Sequence, residues 1–185
     1  MNQVFYKGDW IHIAGPSGVG KSSLVKLLLA LRESTGIKIN QVQLDSFEKA
    51  SLRKKIAYVT QEIPIFNKTL EENIGLGRCL SPKEKEKIED SQILSSILRT
   101  KDWQTSILNA GNNLSGGEKQ RVVIARLLLS NPDIIIIDES TSAIDHQTSE
   151  AIYQLLKSTF SDTIVFVITH DQTKQVYCNR VIKLG

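Results

Sequence analysis

The sequence predicts an α/β domain on a mainly parallel sheet, and three observations predict it. Apolar runs bounded by turn residues alternate along the chain with stretches of helical periodicity. One run, Ile134-Ile135-Ile136-Ile137, has no polar face, as a strand buried on both sides requires. The run that ends at Ala14 passes through a glycine-rich loop directly into an amphipathic helix.

In chain order, Asp9–Ala14 reads as a buried strand. Leu24, Leu27, Leu28 and Leu31 then fall on one face of a helix starting near Gly20. Ile37–Leu44 alternates apolar and polar residues with one slip, which suggests a solvent-edged strand pair. Ile56–Thr60 is a second buried strand. Ser81-Pro82-Lys83-Glu84 combines a capping residue, a proline at the first helical position and a glutamate at the third. A charged helix should follow to about Asp90, and a shorter apolar one over Ile93–Leu98. Ser115–Ser130 is helical and closes at Asn131-Pro132. Strands at Asp133–Asp138, Thr163–Thr169 and Arg180–Leu184 enclose a helix at Gln147–Phe160. The whole reads as one domain, 1–185, with a helical insert at about 62–130.

Composition bounds the function. The chain has 185 residues, 41% hydrophobic and 23% charged, ordinary for a globular domain. A net charge of +3 without a dominant Lys/Arg block points to no nucleic-acid partner. No apolar run approaches the roughly 20 residues a membrane helix needs. Cys79 and Cys178 fit no metal-ligand spacing.

Three motifs carry chemistry. Gly15-Pro16-Ser17-Gly18-Val19-Gly20-Lys21-Ser22 is a full G-x-x-x-x-G-K-S phosphate loop. Its glycines turn backbone N–H groups toward an anion at a helix N-terminus. Lys21 should reach the β- and γ-phosphates, and the Ser22 hydroxyl should ligate Mg²⁺. Ile134–Glu139 puts Asp138 and Glu139 at the carboxyl end of a buried strand, where α/β sheets bind ligands. Asp138 suits Mg²⁺, and Glu139 suits a base that polarises an attacking water. Leu114-Ser115-Gly116-Gly117-Glu118-Lys119-Gln120-Arg121 offers a hydroxyl and bare N–H groups at another helix start, a second anion-binding device.

LSGGEKQR closely resembles the signature motif of ATP-binding cassette (ABC) proteins, whose common form is LSGGQ. The resemblance spans about Gly8 to Leu184 and implies a P-loop NTPase core with a helical subdomain bearing the signature motif. It implies ATP and Mg²⁺ as cofactors. Gly15, Ser17, Gly18, Gly20, Lys21, Ser22 and Ser23 would hold the phosphates. Gln61 resembles the Q-loop glutamine, a Mg²⁺ contact that senses the membrane partner. Ser142-Ala143-Ile144-Asp145 is similar to the D-loop, with Ile144 where leucine is usual. His170 resembles the switch histidine that contacts the γ-phosphate, whereas His12 and His146 read as structural. Family members dimerise head to tail, so Ser115, Gly116, Gly117 and Asp145 would serve a nucleotide shared with a second copy.

Gln61 to Ile74, with Phe66 and Thr69-Leu70-Glu71-Glu72-Asn73-Ile74, is similar to the exporter branch. There this segment forms the docking groove for a transmembrane domain, separate or upstream. That implies an ATPase powering export at the cytoplasmic face of a membrane. Two other readings stand beside it: a soluble ABC ATPase without a membrane partner, and a truncated fragment with little activity alone. Three departures matter. The family's adenine-stacking aromatic sits well upstream of the P-loop, and Phe5 and Tyr6 lie too near it, so both are expected to pack beneath the domain. The early strands of the antiparallel subdomain look incomplete. Asn109 also replaces the glutamate of the exporter E-x-G-x-x-L-S-G-G pattern.

Overall fold

A computed structural model describes residues 3–34, 36–60, 64–138, 146–169 and 171–185. The elements run β1 (Trp10–Ala14), α1 (Lys21–Leu28), β2 (Lys38–Ile39), β3 (Val42–Gln43), α2 (Lys49–Lys55), β4 (Ile56–Val59), α3 (Leu70–Ile74) and α4 (Pro82–Asp90). They continue with α5 (Ser95–Leu98), α6 (Gly116–Ser130), β5 (Ile134–Asp138), α7 (His146–Thr159), β6 (Ile164–Ile168), α8 (Gln172–Gln175) and β7 (Arg180–Lys183). The chain forms two compact units, one of Met1–Val59, Pro132–Glu139 and Phe160–Gly185, the other of Thr60–Asn131 and Ser140–Thr159.

The first unit is a five-stranded sheet in the order β4-β5-β6-β1-β7, with every pairing parallel. Side chains alternate across a strand, so register fixes each face. Ile11 lies opposite Phe166, and Phe166 opposite Ile136. These three share a buried cluster with Ile13, Ile56, Ile168 and Ile182, and Val25 of α1 packs into it. Leu24 and Leu28 of α1 border the same cluster, so the helix after the glycine loop covers this face. The opposite face, with Trp10, Ile135, Ile137, Val165 and Val167, is buried as well. Burial on both sides is why β5 needs four consecutive isoleucines, each worth about 1.5–3 kcal/mol when fully buried.

α1 stops three residues before the periodic pattern does. Ala30 takes φ 50°, which turns the chain off the helix and leaves Leu31 56% exposed rather than on its buried face. β2 and β3 form the expected strand pair, an antiparallel hairpin shorter than the alternating run. Its turn places Asn40 and Gln41 at positive φ, the two-residue connection that matches strand twist. Phe5 packs edge-on against Phe166, at 5.6 Å between ring centroids. Tyr6 does not pack beneath the domain and is 66% exposed.

The second unit is helical. Thr69, Ser81 and Ser115 each open a helix through a capping box with the glutamate three residues on. Leu70, Ile74, Ile88, Leu94, Ile97, Ile107 and Val122 are buried in it. The apolar stretch expected to be helical from Ile93 begins only at Ser95, because Gln92 sits at φ 59°. No helix among the described residues is long and apolar enough to cross a membrane.

Candidate functional site

Because β1, β4, β5 and β6 run parallel, their carboxyl ends lie along one edge of the sheet. The loop Gly15–Gly20 leaves β1 there, and Asp138 is the last residue of β5. Asp138 lies two residues beyond Ile136, so it shares the face that α1 covers. Lys21 and Ser22 open α1 on that face. Sheet register and helix packing thus bring the glycine loop, the start of α1 and Asp138 to one end of one layer.

Local geometry explains the glycine spacing. Gly20 precedes α1 at φ 107°, where a Cβ would be strained although it would meet no atom within 4 Å. Gly15 is needed for closeness instead, since a Cβ there would lie 2.8 Å from the Leu184 carbonyl oxygen. No side chain caps α1. Its first N–H groups therefore have no intrahelical acceptor and suit an anion. Lys21 Nζ donates to the Gly15 and Pro16 carbonyls at 2.7 and 3.0 Å, which holds its charge over the loop.

Tyr58 of β4 donates its hydroxyl to Asp138 Oδ2 at 2.9 Å. Motif reading passed over this residue, since the pair is 80 positions apart and meets only through the β4–β5 register. No group of three or more His, Cys, Asp or Glu among the described residues could enclose a metal ion. Ser22 and Asp138 are hard oxygen donors, and they fit Mg²⁺, which is held by one or two carboxylates plus substrate phosphates and waters.

Four expected site residues, Gln61, Glu139, Asp145 and His170, lie outside the described residues. Their neighbours are described. Thr169, just past β6, accepts a bond on its carbonyl from His12 Nε2 at 3.1 Å, so Nε2 carries the proton. The Thr169 hydroxyl accepts from the Asp171 N–H at 3.0 Å. His12 is buried and structural, as expected.

In the second unit, Ser115 is the N-cap of α6 and accepts the Glu118 N–H on its hydroxyl at 3.2 Å. The Glu118 carboxylate in turn accepts the Ser115 N–H at 2.7 Å and pairs with Lys101 at 3.1 Å. Burial works to raise the Glu118 pKa, but these partners outweigh it and hold the group ionised. Gly116 and Gly117 follow as the first two helical residues. Their N–H groups have no intrahelical partner, as an anion site at a helix start requires.

The segment before α3 is shaped by Asn73, which is fully buried. Its Oδ1 accepts the Phe66 N–H, and its Nδ2 donates to the carbonyls of Phe66, Lys68 and Thr69. Phe66 is left 45% exposed. Arg126 of α6 lies beneath it, with Cζ 5.9 Å from the ring centroid and Nε bonded to the Asn73 carbonyl. The approach to the signature motif bends sharply: Asn109, Ala110 and Gly111 all have positive φ. The Ala110 N–H is held by Asn67 Oδ1 at 2.9 Å. Sequence reasoning placed Asn73 in the exporter-like run without foreseeing its bracing role, and it missed Arg126; the partners of both are mostly backbone groups with no side-chain signature.

The model of the ABC transporter family matches residues 1–142. The chain belongs to this family. Among curated ABC proteins it is 39% identical over 181 residues to a "Probable ABC transporter ATP-binding/permease protein" of Haemophilus influenzae, covering 95% of this chain and 33% of that protein. It is 37% identical to the Beta-(1-->2)glucan export ATP-binding/permease protein NdvA of Bartonella henselae, covering 88% of this chain and 28% of that one. An ATP-dependent lipid A-core flippase of Acinetobacter baylyi is 31% identical over 98% of this chain and 33% of its own length. The chain thus spans about a third of the curated relatives it matches. Its fold matches a bacterial Atm1-family ABC exporter solved with ATP bound. The TM-score is 0.84 and the identity 30%, over 97% of this chain and 32% of that one.

Proposed function

We propose that this ABC domain binds Mg-ATP and hydrolyses it to power export across a membrane. The observation that carries the reading is the convergence of Lys21, Ser22 and Asp138 at one end of one sheet layer. Gly15, Ser17, Gly18, Gly20, Lys21, Ser22 and Ser23 would hold the phosphates, through backbone N–H groups and the Lys21 ammonium. Ser22, Asp138 and Gln61 would hold Mg²⁺, which supplies charge neutralisation at the phosphates. Glu139 would orient and polarise the attacking water, and His170 would contact the γ-phosphate.

Ser115, Gly116, Gly117 and Asp145 would complete a site shared with a second ABC domain, head to tail. Phe66 and the Asn73-braced loop would dock a transmembrane domain, and so place the chain at the cytoplasmic face of a membrane. The relatives named as exporters, flippase and permease support this reading. ATP titration with Lys21→Ala tests the phosphate site. Affinity should fall by at least about tenfold, the loss of one charge-assisted contact of 1.5–3 kcal/mol. Equal affinity in both proteins would remove Lys21 from the site.

A further inference from the structure

Tyr58 and Asp138 come together through strand register. Tyr58 lies opposite Ile136 on the neighbouring parallel strand, and Asp138 is two residues further on. All three side chains therefore point to the same face. The tyrosine ring reaches along the sheet and its hydroxyl meets Asp138 Oδ2 at 2.9 Å. The ring is 40% exposed, so the hydroxyl would have water available; it is nevertheless committed to the carboxylate.

A carboxylate offers about four lone-pair sites on two oxygens. One donor on Oδ2 anchors that oxygen, restricts rotation of the group and leaves Oδ1 uncommitted to Tyr58. We propose that Tyr58 is a positioning residue for the metal. Its hydroxyl holds the Asp138 carboxylate in one orientation, with Oδ1 available to Mg²⁺ or to a water in its shell. The inference rests on the reading of Asp138 as the Mg²⁺ carboxylate.

The test is Mn²⁺ binding to the ADP-loaded chain, read by electron paramagnetic resonance, beside ADP affinity measured in EDTA. Tyr58→Phe removes one oxygen from a half-exposed ring. It should raise the Mn²⁺ concentration at half-saturation about 3- to 10-fold, what one net hydrogen bond is worth. ADP affinity in EDTA should stay within about twofold, since Tyr58 acts only through the metal ligand. Asp138→Asn serves as the reference. If Asp138→Asn weakens Mn²⁺ binding and Tyr58→Phe does not, the role of Tyr58 is overturned while that of Asp138 stands. If Asp138→Asn leaves Mn²⁺ binding intact, the metal role of Asp138 fails and the inference falls with it. Tighter Mn²⁺ binding in Tyr58→Phe would make the hydroxyl a competitor of the metal, and loss of ADP affinity in EDTA would make Tyr58 a structural residue. Either result contradicts the proposal.

Discussion

Asn73→Ala should destabilise the second unit by a margin that the hydrogen bonds set. Four bonds disappear with the carboxamide. Three of them end on carbonyls that keep another donor: Phe66 O has the Lys68 N–H, Lys68 O the Ile107 N–H, and Thr69 O the Asn73 N–H. Only the Phe66 N–H loses its partner outright. An orphaned donor costs about 1–3 kcal/mol, and the remaining bonds add about 0.5–1.5 kcal/mol each at most. Phe66 is partly exposed, so water offsets some of this, and the expected loss is about 2–4 kcal/mol. Urea unfolding followed by Trp103 fluorescence in a Trp10→Phe background isolates this unit, since the chain has two tryptophans. Asn73→Asp sharpens the test. It would aim an oxygen at three carbonyl oxygens where a donor now sits, and should cost more than alanine does. A loss under about 1 kcal/mol for alanine, or an aspartate variant as stable as the asparagine, would refute the assignment of these bonds.

Other consequences follow from buried polar groups. Glu71 is 3% exposed, and its pKa is lowered chiefly by the Leu80 N–H, against the opposing effect of burial and with help from Lys85 and Gln104. A depressed folded pKa means stability that is present above the ordinary value of 4.5 and is lost as pH falls through the folded value. The stability gap between wild type and Glu71→Gln should therefore narrow as pH drops below 4.5, and a constant gap in urea titrations would argue against it. His12→Leu keeps bulk but leaves the Thr169 carbonyl without its imidazole donor. It should cost about 1–3 kcal/mol in urea unfolding, and His12→Gln should recover part of that if reach to the carbonyl is what matters.

Much of the fold and part of the site were legible in the sequence, for a physical reason. A strand, a glycine loop and a helix in direct succession are local, and each has its own periodicity or backbone demand. Ile134–Ile137 declared burial on both faces because no polar residue interrupts it. Where the reading fell short, the cause was short-range geometry or long-range pairing. Helices α2 and α3, at seven and five residues, are too short to show a full amphipathic repeat. Leu31 fits the periodicity of α1, but the left-handed turn at Ala30 removes it from the buried face. Tyr6 was expected, like Phe5, to pack beneath the domain, yet it is exposed while Phe5 packs edge-on against Phe166. The bond from Tyr58 to Asp138 depends on which strands are neighbours, and no spacing in the sequence encodes that.

Exchange of Glu139 for glutamine tests the central claim most directly, because it keeps size and polarity and removes only the base. ATP affinity and phosphate release are measured on both proteins with Mg²⁺. ATP affinity should be unchanged, while turnover should fall by about 100-fold or more, the usual contribution of a positioned general base. Phosphate release at the wild-type rate from Glu139→Gln would contradict the hydrolytic role proposed for Glu139.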